Sequence, residues 1–129
     1  MPFHTPLKVQ LLNDRTTFPW ILTAPLVYES ELTGETYWIP ENFRTDGSSI
    51  PRSLILLAPP LAMRFMGKGV WQGFREGCLH DWLRRKDKDG KHPVPAKVAH
   101  LIFKEALTEA NYPDDLISAY YQAVKLFNS

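Results

Sequence analysis

The first apolar pattern along the chain has a period of two. Leu7, Val9 and Leu11 alternate with Lys8, Gln10 and Leu12, the spacing of a strand. Asn13–Asp14 supplies turn chemistry. Trp20 to Tyr28 is rich in β-branched and aromatic residues, and Pro25 marks a bulge or an edge within it. A Thr-Gly turn signal follows inside Glu31 to Glu35, and Thr36 to Ile39 reads as another strand. The pattern over residues 1–40 predicts a hairpin or meander of three or four antiparallel strands.

After Pro40 the texture changes. Phe43 to Pro51 reads as loop, and Ser53 to Met66 as a short helix interrupted by Pro59–Pro60. Gly67 and Gly69 make a link. Val70 to Lys86 then carries Trp71, Phe74, Cys78, Leu79 and Trp82 on one helical stripe. Pro95 stands where a first helical residue would be. The next stripe is Ala96, Ala99, Phe103, Ala106, Leu107 and Ala110, ending near Asn111. Pro113 opens a last helix that buries Leu116, Ala119, Tyr120, Ala123, Val124 and Phe127, with Asp114 and Asp115 at its positive end. The expected fold is α+β: a small N-terminal antiparallel sheet or meander followed by three to four helices. One domain is expected over residues 1–129, strand-rich over 1–40 and helical over 52–127.

Composition narrows the function classes. A chain of 129 residues with 44% apolar content can fold without a disulfide or metal staple. A formal charge of +1 predicts no general attraction to nucleic acid or anionic lipid, and no sequence-specific nucleic-acid binding is expected. The basic run of Arg84, Arg85, Lys86, Lys88 and Lys91 reads as a solvated helix end. Cys78 is the sole cysteine and lies within an apolar stripe, the setting of an inert buried thiol. The longest apolar stretch, Leu54 to Ala62, holds two prolines and is too short to span a bilayer, and no signal peptide is apparent. A cytoplasmic protein is expected. No Walker loop, GxGxxG, CxxC or HExxH pattern occurs.

The candidate chemistry falls in two places. On the helical wheel His80 points away from the apolar stripe of its helix, beside Gly73 and Gly77. Glycines on a helix face admit a second packed surface, so His80 should be partly buried and should need partners for its ring nitrogens. His100, on the next antiparallel helix, is a candidate to face it. The second place is Phe43–Arg44–Thr45–Asp46–Gly47–Ser48–Ser49–Ile50–Pro51. It can serve as an Asx turn and helix cap. It can also aim Asp46 at the histidines. Candidate catalytic residues are His80, Asp81 and Asp46; candidate substrate contacts are Thr45, Ser48, Ser49 and Arg84. His80, Asp81 and His100 form a candidate metal set, with carboxylate and imidazole donors suiting zinc, manganese or iron.

The run F-R-T-D-G-S-S-I-P, the helix with C-L-H-D-W-L and the following A-H-L-I-F-K-E-A-L together resemble the family called domain of unknown function 1353. That family occurs largely in tailed bacteriophages and prophages. The resemblance covers Tyr37 to Leu107 and carries over Asp46, Ser49, Pro51, His80 and Asp81. Arg84 stands where the family often has tyrosine, and His100 where it often has aspartate. The resemblance implies a phage-encoded protein and no defined activity. The helical His80–Asp81 pair opposite position 100 is also similar, by analogy alone, to phospholipase A2 enzymes, which place calcium on the aspartate. Two readings follow. One is a hydrolase acting on an ester or phosphodiester through a His-Asp centre, with or without a divalent metal (zinc, manganese or calcium). The other is a non-enzymatic phage accessory or host-interaction protein, in which the same residues form a structural polar network. The partner would be an unidentified small molecule or a host or phage protein.

Overall fold

The computed structural model describes residues 2–11, 20–45, 74–85 and 89–127. The strands are β1 (Val9–Leu11), β2 (Trp20–Leu22), β3 (Leu26–Glu29), β4 (Thr36–Ile39) and β5 (Arg44–Thr45). The helices are α1 (Phe74–Arg84), α2 (Ala96–Glu109) and α3 (Asp114–Phe127). Strands come first and helices after, so the fold is α+β. The expected turn at Asn13–Asp14 and the expected helix at 53–66 lie outside the described residues.

The strands form two antiparallel sheets, one ordered β1-β2-β5 and the other a β3-β4 hairpin. Trp20 to Tyr28, read as one bulged strand, is two strands in different sheets. The chain leaves the first sheet at Thr23, whose amide donates to the Lys8 carbonyl at 2.9 Å. Pro25, with no amide proton to offer a ladder, stands immediately before β3. Arg44–Thr45, read as loop, pairs with β2 through Trp20↔Thr45 and Ile21↔Arg44. Two residues are too short to show a period, so a tertiary pairing decided that segment.

In the β3-β4 hairpin the expected strand at Thr36–Ile39 is β4, and it alternates, with Tyr37 and Ile39 buried and Thr36 and Trp38 exposed. Gly34 closes its turn at φ 72°, a left-handed conformation that suits glycine, and its amide reaches the Ser30 carbonyl at 2.9 Å. The segment Pro2 to Thr5 lies along the outer edge of β3. This covers a backbone edge that would otherwise need water.

Two apolar clusters meet at α2. In the first, Leu22, Leu26, Tyr28 and Ile39 of the sheets pack with Cys78, Leu79 and Leu83 of α1 and with Ala99, Ile102 and Ala106 of α2. In the second, Phe103 and Leu107 pack with Leu116, Ile117, Tyr120 and Val124 of α3. Helix α2 thus buries a wider arc than its stripe of alanines suggested, since Ile102 is fully enclosed. Its start also differs by one residue. Pro95 is the N-cap, in extended conformation at ψ 153°, and accepts from the Ala99 amide at 3.0 Å.

Glu105 of α2 fastens the hairpin to the helices. Its Oε1 accepts from the Tyr28 hydroxyl at 2.6 Å and its Oε2 from the Leu32 amide at 2.8 Å. Burial and the neighbouring carboxylate push the Tyr28 phenol upward, so it stays a donor at every physiological pH. Glu105→Ala would strand a buried hydroxyl. The expected cost is about 1–3 kcal/mol, read as a lower denaturant midpoint with unchanged slope.

Candidate functional site

Glu76, His80 and Arg84 stand at four-residue intervals on α1, which puts them in one row along the helix. Glu76 and His80 are almost completely buried, at 2% and 4% exposure. Buried polar atoms in such a row mostly find partners. His80 finds His100. The His80 Nε2 and His100 Nδ1 atoms are 2.9 Å apart, and the rings stack with centroids 5.1 Å apart at 27°. Phe103 lies against the His80 ring at 5.1 Å and also meets Tyr120 at 5.9 Å. The imidazole pair therefore sits at the seam between the two apolar clusters.

The pair must be neutral in at least one ring, because one nitrogen has to accept what the other donates. Burial drives this further. It lowers the His80 imidazole to about 3, with the adjacent His100 and Arg84 adding to the effect. His100 is also lowered, first by burial and then by the charges of Arg84 and Lys125. Both rings are neutral at physiological pH. His100 is itself only 4% exposed, and its outer Nε2 is buried with no hydrogen-bond partner among the described residues. Arg84 Nε is buried and unpartnered in the same way.

Asp81 engages Arg85. Its Oδ2 accepts from Arg85 Nη2 at 3.0 Å. The same nitrogen donates to the Arg44 carbonyl of β5 at 3.2 Å, and the guanidinium lies 4.8 Å over the Phe43 ring. Arg85 therefore holds the end of β5 against the end of α1. That brings Thr45, fully buried and the first residue of T-D-G-S-S-I-P, next to the helix carrying His80 and Asp81. Asp46, Ser48 and Ser49 lie outside the described residues, as does the expected approach of Asp46 to the histidines. The Asp81–Arg85 side chains remain 24% and 34% exposed. Solvent screens such a pair, so Asp81→Asn should cost about 1 kcal/mol or less, measured by chemical denaturation.

Sequence reasoning brought His80 and His100 together but passed over three participants. Glu76 flanks His80 at roughly 40° on the wheel, as Arg84 does on the other side, and that polar row was the available signal. Arg85 was counted within a solvated basic run, yet it is the link between α1 and β5. Lys125 comes from α3 and had no local signal. Cys78 is fully buried and its thiol is pushed up to about 12, chiefly by burial, which removes the nucleophilic thiolate. His92 places Nδ1 2.7 Å from the Arg84 carbonyl. His4 is exposed and pairs with Glu29 at 3.0 Å.

The family described as "Protein of unknown function (DUF1353)" matches residues 20–124, nearly the whole of the described fold. The chain belongs to the DUF1353 family. No curated protein and no solved structure matches it. In this DUF1353 chain the H-D motif divides its labour. His80 turns inward to His100, while Asp81 turns toward the strand that leads into T-D-G-S-S-I-P.

The donor set bears on the expected metal. His80 Nε2 and His100 Nδ1 are spent on each other. Arg84 and Lys125 bring positive charge to bear on the His100 imidazole. Among the described residues no three His, Cys, Asp or Glu side chains gather as a metal set. These groups fit a divalent cation poorly. No helix among the described residues is long and apolar enough to cross a membrane.

Proposed function

We propose that this DUF1353 chain is a phage-encoded cytoplasmic hydrolase of an ester or phosphodiester bond, with the His80–His100 pair as its proton-handling centre. One observation supports the reading above all: a buried imidazole nitrogen, His100 Nε2, that has no hydrogen-bond partner among the described residues. Most buried polar groups close their hydrogen bonds, and a catalytic role is one reason for a group to stay open. In this reading His80 orients His100 and completes its tautomer. His100 Nε2 exchanges the proton with water or the leaving oxygen. Asp81 is a positioning residue that, through Arg85, sets the strand leading to Asp46, Ser48 and Ser49. A general acid–base group contributes about 10²–10⁴-fold to rate, so His100→Gln should lower turnover by that factor while the protein stays folded. The assay uses p-nitrophenyl acetate and bis(p-nitrophenyl) phosphate. Absence of turnover by the wild type on both overturns the reading.

The closure of the site favours a second reading. Both histidines are 4% exposed and the His80 ring packs on Phe103, which suits a structural network in an accessory protein that binds a host or phage partner. Wild-type inactivity together with a strongly destabilised His100→Gln variant would select it.

A further inference from the structure

Helix α2 ends with a charge set against its own dipole. In α1 the first turn holds Glu76 and the last turn Arg84. In α3 Asp114 and Asp115 open the helix and Lys125 lies in its last turn. Both arrangements suit the positive N-terminus and negative C-terminus of a helix. Helix α2 has no acid in its first turn and no base in its last, and its final residue is Glu109. A carboxylate at that end is locally unfavourable, and such breaks of a local rule concentrate at functional sites.

Glu109 lines a groove of about 350 Å³. The turn between β3 and β4 supplies Glu31 and Leu32 to it, and α2 supplies Leu101, Lys104 and Glu105 besides Glu109. Leu32 is 55% exposed and Leu101 half-buried, so the groove offers apolar surface to a visitor. Its carboxylates are in different states. Glu105 is spent on the Tyr28 hydroxyl and the Leu32 amide. The carboxylates of Glu31 and Glu109 have no ion pair and no hydrogen bond among the described residues. Lys104 does not answer them, because its ammonium lies 5.0 Å over the Tyr121 ring of α3. After burial and the Glu105 hydrogen bond, the charges of Glu105, Glu109 and Glu31 all help to raise the Tyr28 phenol, so the three carboxylates bear on one place.

We propose that this groove docks a partner protein by taking an arginine side chain with an apolar residue beside it. The choice of occupant follows from charge and shape. Arginine lays an aliphatic stem along apolar surface and presents a planar head that donates to carboxylates in paired bonds. Its charge offsets Glu109 at the helix end and relieves the repulsion between Glu31 and its neighbours. The exposed Leu32 receives the apolar neighbour, a contact that a free diamine cannot make. The lining shares no residue with the His80–His100 pair, so the docking site stands under either reading of the function.

Acetyl-Leu-Arg-amide is the probe, with the neutral citrulline analogue and putrescine as controls. Methyl NMR spectra of the wild type should show Leu32 and Leu101 moving saturably, with a dissociation constant on the order of millimolar. The Glu31→Gln/Glu109→Gln variant should bind about threefold to tenfold more weakly. Glu35→Gln, an exposed acid on the same hairpin outside the groove lining, should change nothing. Glu105 is left in place because it ties the hairpin to α2. Glu109→Gln alone should hold or raise the melting temperature, since it removes a charge from the wrong end of the dipole. A lower melting temperature would give Glu109 a partner within the fold and overturn the proposal. No movement of the two leucines at about 20 mM probe, equal binding of the citrulline analogue, or binding that the double variant leaves intact overturns it as well. Putrescine binding as tightly as the dipeptide would make this a diamine site and not a protein-docking one. Self-association in sedimentation velocity that the double variant abolishes would replace the partner with a second copy of this chain.

Discussion

Acidifying the protein from about pH 7.5 to about pH 5 is expected to cost it stability well before its carboxylates titrate. The unfolded chain exposes His80 and His100 with the ordinary imidazole value near 6.5, whereas the folded chain holds His80 at about 3 and His100 below its ordinary value. Below 6.5 the unfolded state therefore binds protons that the folded state refuses. The stability that the neutral pair contributes is complete above 6.5 and drains as pH falls toward 3. His80 removes about 1.4 kcal/mol per pH unit once the unfolded form is protonated, and His100 acts in the same direction. The sum through the window is on the order of a few kcal/mol, a large part of what a domain of this size has to spare. Urea midpoints at a series of pH values would measure it. His80→Asn should flatten the dependence between about pH 6.5 and 5, because the group that refuses the proton is gone. Equal slopes for wild type and variant would mean that His80 is solvated.

The second large effect is expected from His80→Ala. The substitution removes a ring packed against both His100 and Phe103, and it leaves His100 Nδ1 without its partner at 2.9 Å. A cavity and an unsatisfied buried nitrogen together should cost about 2–4 kcal/mol. The same change made in a His100→Ala background should cost less, because the partner to be stranded is already absent. A double-mutant cycle on thermal melts gives that coupling directly. If the hydrolase reading holds, His80→Ala also loses turnover at temperatures where the variant remains folded. Additive penalties would mean that the two rings are neighbours without being partners.

Much of this arrangement was legible from periodicity. Thr36–Ile39 and the helices that follow Pro95 and Pro113 emerge from local pattern, because proline punctuation and an apolar face act within a few residues. The meeting of His80 and His100 was legible for a different reason. A histidine opposite the apolar stripe, beside glycines, implied a second packed face, and only one neighbouring helix offered a matching group. What stayed hidden depends on distant partners. Arg44–Thr45 is a strand only because β2 lies beside it, and Trp20 to Tyr28 divides because its two halves pair with different segments. Arg85 looked like one cation among several. Its role depends on the Arg44 carbonyl, 41 residues away in sequence, which no local pattern reports.

The Glu105 clamp also governs the timing of folding. Its two hydrogen bonds join residues 77 and 73 positions apart, one on the hairpin and one on a helix. Contacts of such separation pay their loop-closure entropy late, after the local hairpin and helices have formed. A clamp that closes after the transition state slows the reverse reaction without hastening the forward one. Glu105→Ala should then leave the refolding limb of a chevron nearly in place and raise the unfolding limb. The clamp would act as a brake on opening, setting how long a folded molecule survives between excursions rather than how quickly it first assembles.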